Sequence, residues 1–419
     1  MNSNIFVLDN GASYLLLDIN SLRTCSIDKR DFTRENLQRT VSEQFSDQRP
    51  YFERLKPQNE QPEKLTPTIV TSYACNYACE YCYQRPSKSI YDRMKPEDID
   101  AIYRFYQVFC ERYNFPFEFE AFSIMGGEPL LPENRGVLEK IVQVWPDCTL
   151  TFTTNGSYLL DYEDYLLSCK SNVRVSLDGT EKTHYSRRKT ADLAAYGRAI
   201  EGISHLIEKG KKITVLTVFS PDHLDDYSQF FDQLESLGWK QDASSKIELA
   251  FLPEIGNGSD DRKLEKVMKD LEAYAALRTR DPRAGAVNVI KLVPGANPLF
   301  TALEQASKGF YEPYRCGILT NPSFAFLPDG SIMPCLAVQD KQFSVGRFKP
   351  KFEVNEDLIA ALAKRRIDEM ERCRDCSKRA LCGGGCVATV LAKKKDVAAV
   401  CCDLWDNLEY LNYLEWVMR

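Results

Sequence analysis

Between Thr68 and Leu252 the sequence alternates six times between a short β-rich run and an amphipathic helical run, and this alternation constrains the fold more than any other feature. The strand candidates are residues 68–72, 117–125, 149–154, 173–177, 212–219 and 246–252. Helical stretches at 97–113, 134–145, 193–209 and 224–237 lie between them, and Gly210 and Gly238 stop two of these. A chain that keeps returning to a strand through a helix builds a parallel sheet. The expected class is α/β, a partial (β/α)6 TIM-like barrel over residues 66–300.

Ahead of it, residues 1–65 read as a small α+β module. Ile5-Phe6-Val7 and Tyr14-Leu15-Leu16-Leu17 flank the hairpin signal Asp9-Asn10-Gly11, a helix is expected over 34–45, and a polar linker covers 56–67. After a helical segment at 260–277 and a Pro/Gly-bearing stretch at 281–298, the remainder, 301–419, is marked by its cysteines. A chain of 419 residues with 44% hydrophobic content can bury a substantial core. Its formal net charge of -6 argues against nucleic acid or an anionic membrane as the main partner. No apolar run reaches the ~20 residues of a membrane span, and the opening MNSNIFVLDNG lacks a secretory pattern, so a cytoplasmic location is expected. In a reducing compartment 15 cysteines point to metal or redox chemistry, while only three histidines leave little for a histidine-based site.

The chemistry-bearing residues fall at the strand ends, where parallel α/β folds bind ligands. Cys75, Cys79 and Cys82 in CNYACEYC follow the first strand, and Gly126-Gly127-Glu128-Pro129 the second. Thr154-Asn155-Gly156 closes the third strand and Ser176-Leu177-Asp178-Gly179 the fourth. Three thiolates at C-x3-C-x2-C spacing allow two readings. One is a zinc site completed by a ligand from elsewhere; the other is a 4Fe-4S cubane with one iron left open.

With these residues in place the chain resembles the radical S-adenosylmethionine (SAM) enzymes. The resemblance implies that Cys75, Cys79 and Cys82 hold the catalytic 4Fe-4S cluster, with the aromatic Tyr81 before the last cysteine. It further implies that SAM chelates the open iron and is cleaved by one electron to methionine and a 5′-deoxyadenosyl radical. Gly126, Gly127 and Glu128 match the family's GGEP segment, the glycines expected to let backbone approach the ligand and the glutamate to accept from the SAM ammonium. Ser176, with Asp178 on the same side of the strand, and Arg188, twelve positions after the serine, match family SAM contacts. By itself the run Arg187-Arg188-Lys189 reads as a solvated face, and His184 as a structural histidine.

The later cysteines fall at C-x2-C-x5-C-x3-C (Cys373, Cys376, Cys382, Cys386), after Cys316 and Cys335 and before Cys401-Cys402. Spacing alone permits a zinc ribbon. Beside the first motif, the order resembles the SPASM extension and implies two auxiliary Fe-S clusters in residues 301–419. Cys373, Cys376, Cys382 and Cys402 would hold the outer one, Cys402 being preferred to Cys401 because Cys402-Asp403-Leu404-Trp405 matches the family ending. Cys316, Cys335 and Cys386 would hold the inner one, leaving an open iron, a non-cysteine ligand or a two-iron form. Cys25, Cys110, Cys148 and Cys169 lack ligand spacing and read as buried small hydrophobes.

SPASM enzymes mostly modify peptides, and the amino-terminal module is similar to a reduced leader-peptide recognition element. The expectation is a radical SAM peptide maturase that installs a thioether or carbon-carbon crosslink in a ribosomally made precursor. It would draw electrons from a low-potential donor such as flavodoxin or ferredoxin. The alternatives are an anaerobic sulfatase maturase forming formylglycine and a zinc-stabilised binding scaffold without redox chemistry.

Overall fold

The computed structural model describes residues 5–10, 13–18, 23–44, 56–57, 64–84, 92–239, 246–254, 264–288, 310–311, 322–376, 379 and 383–402. Gly11, linker residues 58–63, residues 289–298, Cys316, Cys382 and Asp403-Leu404-Trp405 lie outside the described residues.

At the amino terminus β1 (Ile5–Asn10) and β2 (Ser13–Asp18) form the hairpin that Asp9-Asn10-Gly11 predicts, and β3 (Arg23–Asp28) adds a strand the sequence did not announce. Leu16, Ile27 and Leu37 of α1 (Arg34–Gln44) make a small separate apolar cluster. A two-residue strand, β4 (Lys56–Pro57), follows.

The main sheet contains β5 (Thr68–Val70), β6 (Ala121–Met125), β7 (Thr149–Thr154), β8 (Ser171–Ser176), β9 (Ile213–Val218) and β10 (Ile247–Leu252), all parallel and adjacent in chain order. All six lie within or next to the expected runs. The intervening helices are α2 (Pro96–Arg112), α3 (Arg135–Val144), α4 (Glu163–Ser168), α5 (Glu181–Arg187), α6 (Ala195–Glu208) and α7 (Leu224–Ser236), with α8 (Leu264–Arg280) after β10. One face of each strand packs into a common core: Leu150, Phe152, Val173 and Val175 are buried, and their neighbours Thr151, Thr153, Arg174 and Ser176 are half-exposed on the opposite face. On α2, Ile99, Ile102, Phe105, Tyr106 and Phe109 recur at helical spacing and are all buried.

The sheet does not stop at β5. After β11 (Phe310–Tyr311), which pairs with β4, β12 (Ala325–Phe326) lies parallel to β5. Then β13 (Ser331–Met333), β14 (Gly346–Arg347) and β15 (Glu353–Val354) follow antiparallel. The ten-stranded sheet therefore runs across residue 300. Aromatic packing reinforces the join: Phe105 meets Phe326 with ring centroids 5.5 Å apart, Phe109 meets Phe324 at 5.3 Å, and the Tyr106 hydroxyl donates to the Pro322 carbonyl at 2.9 Å. Removing Phe105 from this cluster would cost about 3–5 kcal/mol. The chain ends, among the described residues, with α9 (Glu356–Ala363), α10 (Glu371–Arg374) and α11 (Val387–Lys394). No described helix is long and apolar enough to cross a membrane.

Candidate metal centre at the strand ends

The loop that carries Cys75, Cys79 and Cys82 leaves β5 and is pinned at once by the loop after β6. Gly127 N donates to Ser72 O at 2.9 Å and Glu128 N to Ala74 O at 2.8 Å. The two glycines are required by this approach: a Cβ on Gly126 would stand 2.3 Å from Ser72 O, and one on Gly127 2.1 Å from Ala74 O. Gly126 also takes φ +149, outside the usual range for an L side chain. The neighbour that the two glycines admit is the backbone leading into Cys75.

Glu128 is tied into the same corner. Its side chain is fully buried; Oε1 accepts from Leu130 N at 2.9 Å and the Thr154 hydroxyl at 2.6 Å, and Oε2 accepts from Asn155 N at 2.7 Å. It braces the loop after β6 against the loop after β7. Burial pushes its carboxyl up to about 7 against those same donors.

Asn155, held by Glu128, completes the bracket. Its amide nitrogen lies 2.7 Å from Asn76 Oδ1 and 3.9 Å from Cys75 Sγ, and Asn76 in turn donates to the Ser157 hydroxyl at 3.0 Å. The T-N-G triplet was visible at the strand end, but its partner Asn76 was not.

The other flank is a buried charge network. The Tyr81 hydroxyl donates to the Asp178 carboxylate, and its ring meets both Arg187 and Arg188, whose guanidinium carbons are 4.9 and 5.4 Å from the ring centre. Asp178 Oδ2 lies 3.0 Å from Arg188 Nε and 3.5 Å from Arg187 Nη1, while Oδ1 accepts from Val218 N at 3.0 Å. Burial alone would raise the Asp178 carboxyl, but Arg188 and then Arg187 outweigh it and hold it below the ordinary range. Arg187 and Arg188 are thus buried, and the reading of the basic run as a solvated face fails for both. Only the third residue, Lys189, is exposed, paired to Glu80. This strip also clamps the cysteine loop: Ala78 N donates to Lys189 O at 2.6 Å, Glu80 N to Arg187 O at 3.3 Å, and the Thr190 hydroxyl to Asn76 O at 2.9 Å. Ser176, half-buried at the end of β8, lies on the opposite strand face from Val175 and Leu177. His184 is fully buried, its Nδ1 3.3 Å from Asp178 N and its Nε2 3.4 Å from the Tyr77 hydroxyl. Burial, then Arg188, lowers it to about 3, so it is a neutral structural ring.

Cys75 is exposed, and Cys79 and Cys82 are half-buried. Burial raises the Cys79 thiol, and the Arg188 guanidinium works against that rise. Among the described residues no three His, Cys, Asp or Glu side chains form a group that could hold one metal ion. A cubane, several ångströms across, takes its thiolates from farther apart than one ion does. The Tyr83 phenol is raised by burial first and then by the Cys82 thiol, with Cys335 adding to it. In that region Cys335, Cys376, Cys401 and Cys402 are half-buried, Cys373 is buried and Cys386 is exposed at the start of α11. Burial raises the Cys373 thiol to about 11, with Cys402 and then Cys376 adding to the effect. Cys25, on β3, and Cys169 are half-buried, and Cys110 and Cys148 are buried.

Residues 69–234 match the family model described as the Radical SAM superfamily. This segment is a radical SAM domain. Curated relatives include a probable GTP 3′,8-cyclase of Saccharolobus solfataricus, 23% identical over 250 residues, covering 56% of this chain and 76% of that protein. Another is the serine-type anaerobic sulfatase-maturating enzyme of Klebsiella aerogenes, 24% identical over 341 residues, covering 75% and 77%. Among solved structures, native anSMEcpe with bound AdoMet aligns over 84% of this chain and 99% of its own, with TM-score 0.57 and 18% identity. Streptococcus suis SuiB bound to precursor peptide SuiA aligns over 96% and 98%, with TM-score 0.53 and 14% identity. At these identities the structural likeness establishes the radical SAM fold. A radical SAM domain implies a 4Fe-4S cluster and SAM, and the donor set fits both: three thiols on one tethered loop, with a buried cation, Arg188, beside Cys79.

Proposed function

We propose that this protein is a radical SAM peptide maturase that installs an intramolecular crosslink, thioether or carbon-carbon, in a ribosomally made precursor peptide. Cys75, Cys79 and Cys82 would hold the cluster. Tyr81, Gly126, Gly127, Glu128, Ser176, Asp178 and Arg188 would shape the SAM pocket, Glu128 also bracing it through Thr154 and Asn155. A 4Fe-4S cluster held there would supply one-electron reduction of bound SAM and so the means to remove a hydrogen atom from the substrate. The chain's own part is to fix the cysteine loop between two rigid strips, residues 126–128 and 187–190, and to neutralise Asp178 with two buried arginines.

The observation that supports a peptide substrate is the amino-terminal sheet, whose edge strands β1 and β3 can each add a strand from an extended peptide. The likeness to SuiB, solved with a precursor peptide, spans 96% of this chain, against 84% for anSMEcpe. We read residues 1–65 as the peptide-recognition module, 66–300 as the barrel and 301–419 as the carrier of two auxiliary clusters. Cys373, Cys376, Cys382 and Cys402 would hold one, and Cys316, Cys335 and Cys386 the other. A flavodoxin or ferredoxin in the cytoplasm would supply electrons. A second reading, formylglycine formation on a sulfatase, is favoured by the sulfatase-maturase relative, which aligns over 75% of this chain.

The test is anaerobic incubation with SAM, dithionite and the peptide encoded by any small reading frame beside the gene. A crosslink and the oxidation of serine both remove two hydrogens, so mass alone does not separate them. Lost fragmentation between two linked residues indicates a crosslink, and hydrazide labelling indicates an aldehyde. Absence of 5′-deoxyadenosine under reducing conditions rejects both.

A further inference from the structure

Arg365 is 2% exposed and heads the fully buried side chains of the described residues in size. Among the described residues its hydrogen bonds go to backbone carbonyls: Nη1 donates to Val397 O and, at 2.7 Å, to Ala399 O, and Nη2 to Gly384 O at 3.4 Å. No carboxylate of the described residues lies within ion-pair distance, and Asp396, which acts on it from farther off, is exposed. Carbonyl oxygens satisfy N–H groups but carry no net charge, and a buried cation without a counter-charge costs several kcal/mol. Something anionic belongs beside it.

The surroundings indicate what. Gly384 and Ala399 each lie two residues before a cysteine, Cys386 and Cys401, and Cys401 N donates to Gly384 O at 3.1 Å, so Arg365 draws both cysteine-bearing segments together. The Cys373 and Cys386 sulfurs are within electrostatic reach of the guanidinium. Thiols are neutral; thiolates on an iron-sulfur cluster are not, and a cluster with four thiolates carries net negative charge that grows on reduction.

We propose that Arg365 is the built-in counter-charge of an auxiliary iron-sulfur cluster held by the carboxyl-terminal cysteines, stabilising its reduced form. The inference rests on the reading of those cysteines as cluster ligands. It assigns Arg365 a positioning and potential-setting role without contact to substrate.

The test compares wild-type chain, Arg365→Lys and Arg365→Gln, each loaded anaerobically with iron and sulfide. Iron per chain is measured, and the EPR component that does not respond to SAM is titrated against potential. Arg365→Gln should lower the ratio of reduced to oxidised auxiliary cluster at fixed potential about tenfold, a shift of about 59 mV. Arg365→Lys should stay within about twofold of wild type. Iron loss in the glutamine variant alone supports the proposal equally, since charge is then what holds the cluster. Equal shifts, no shift with iron intact, or iron loss in both variants would make Arg365 a bracket for carbonyls and overturn it. A wild-type chain without iron beyond the first cluster removes the underlying reading as well, an outcome distinct from the others.

Discussion

Arg188 Nε stands 3.0 Å from Asp178 Oδ2, with the carboxylate wholly buried and the arginine 8% exposed. Arg187 shares the same carboxylate, so Asp178→Asn leaves Arg188 without its counter-charge and Arg187 with Glu254 alone, 3.8 Å away. The expected cost is about 3–5 kcal/mol, read as a lower denaturant midpoint, and Asp178→Asn with Arg188→Met should regain part of it. A midpoint equal to wild type for the single variant would contradict the network.

Replacing Cys75, Cys79 and Cys82 together by alanine should abolish SAM cleavage while leaving the iron bound in the carboxyl-terminal region. Iron analysis and a 5′-deoxyadenosine assay check it. Cleavage retained by the triple variant rejects the assignment.

Glu128, pushed up to about 7, keeps a proton in the folded chain that the unfolded chain has released above the ordinary value of 4.5. Stability from this group therefore falls as pH rises through that window, by on the order of 3 kcal/mol. In Glu128→Gln this share of the slope disappears, although an amide facing the Asn155 N–H lowers stability throughout. Urea unfolding at pH 5 and pH 8 should show the gap to wild type narrowing as pH rises; a constant gap counts against it.

His184 works in the opposite sense. Lowered to about 3 from 6.5, it stays neutral when folded while the unfolded chain takes up a proton. Its stabilisation is present above pH 6.5 and drains away as pH falls toward 3, by about 1.4 kcal/mol per unit at most. The two windows overlap, so the comparison is cleanest in a Glu128→Gln background, where adding His184→Gln should flatten the acid limb.

Gly127→Ala drives a Cβ to 2.1 Å from Ala74 O, so the cysteine loop must move, and both stability and iron retention should drop. Gly197, in α6 with nothing within 4 Å of an added Cβ, serves as its control. Gly197→Ala should gain about 0.5–1 kcal/mol, because a helix-interior glycine is freer when unfolded.

The parallel strands were legible because alternate positions such as Val173, Val175 and Leu177 are apolar within runs bounded by helical periodicity. The cysteine loop and the strand-end motifs were legible for a similar reason: their spacing is local. What escaped is non-local. Arg187-Arg188-Lys189 is locally a solvated run, and only α5, folding back beside β8, delivers two of its cations to Asp178. Nothing local to Glu128 announces that Thr154 and Asn155, from the next strand end, bond its oxygens. β3 carries too few apolar residues to stand out, and β12 is two residues long, so its pairing with β5 left no trace in periodicity.

That last pairing bears on how the protein can be divided. Thr68 N donates to Phe324 O, so the first parallel strand relies on partners from beyond residue 300. A truncated chain ending there would expose a raw β margin and the greasy side of Phe105 and Phe109, and should clump rather than yield a free-standing catalytic half.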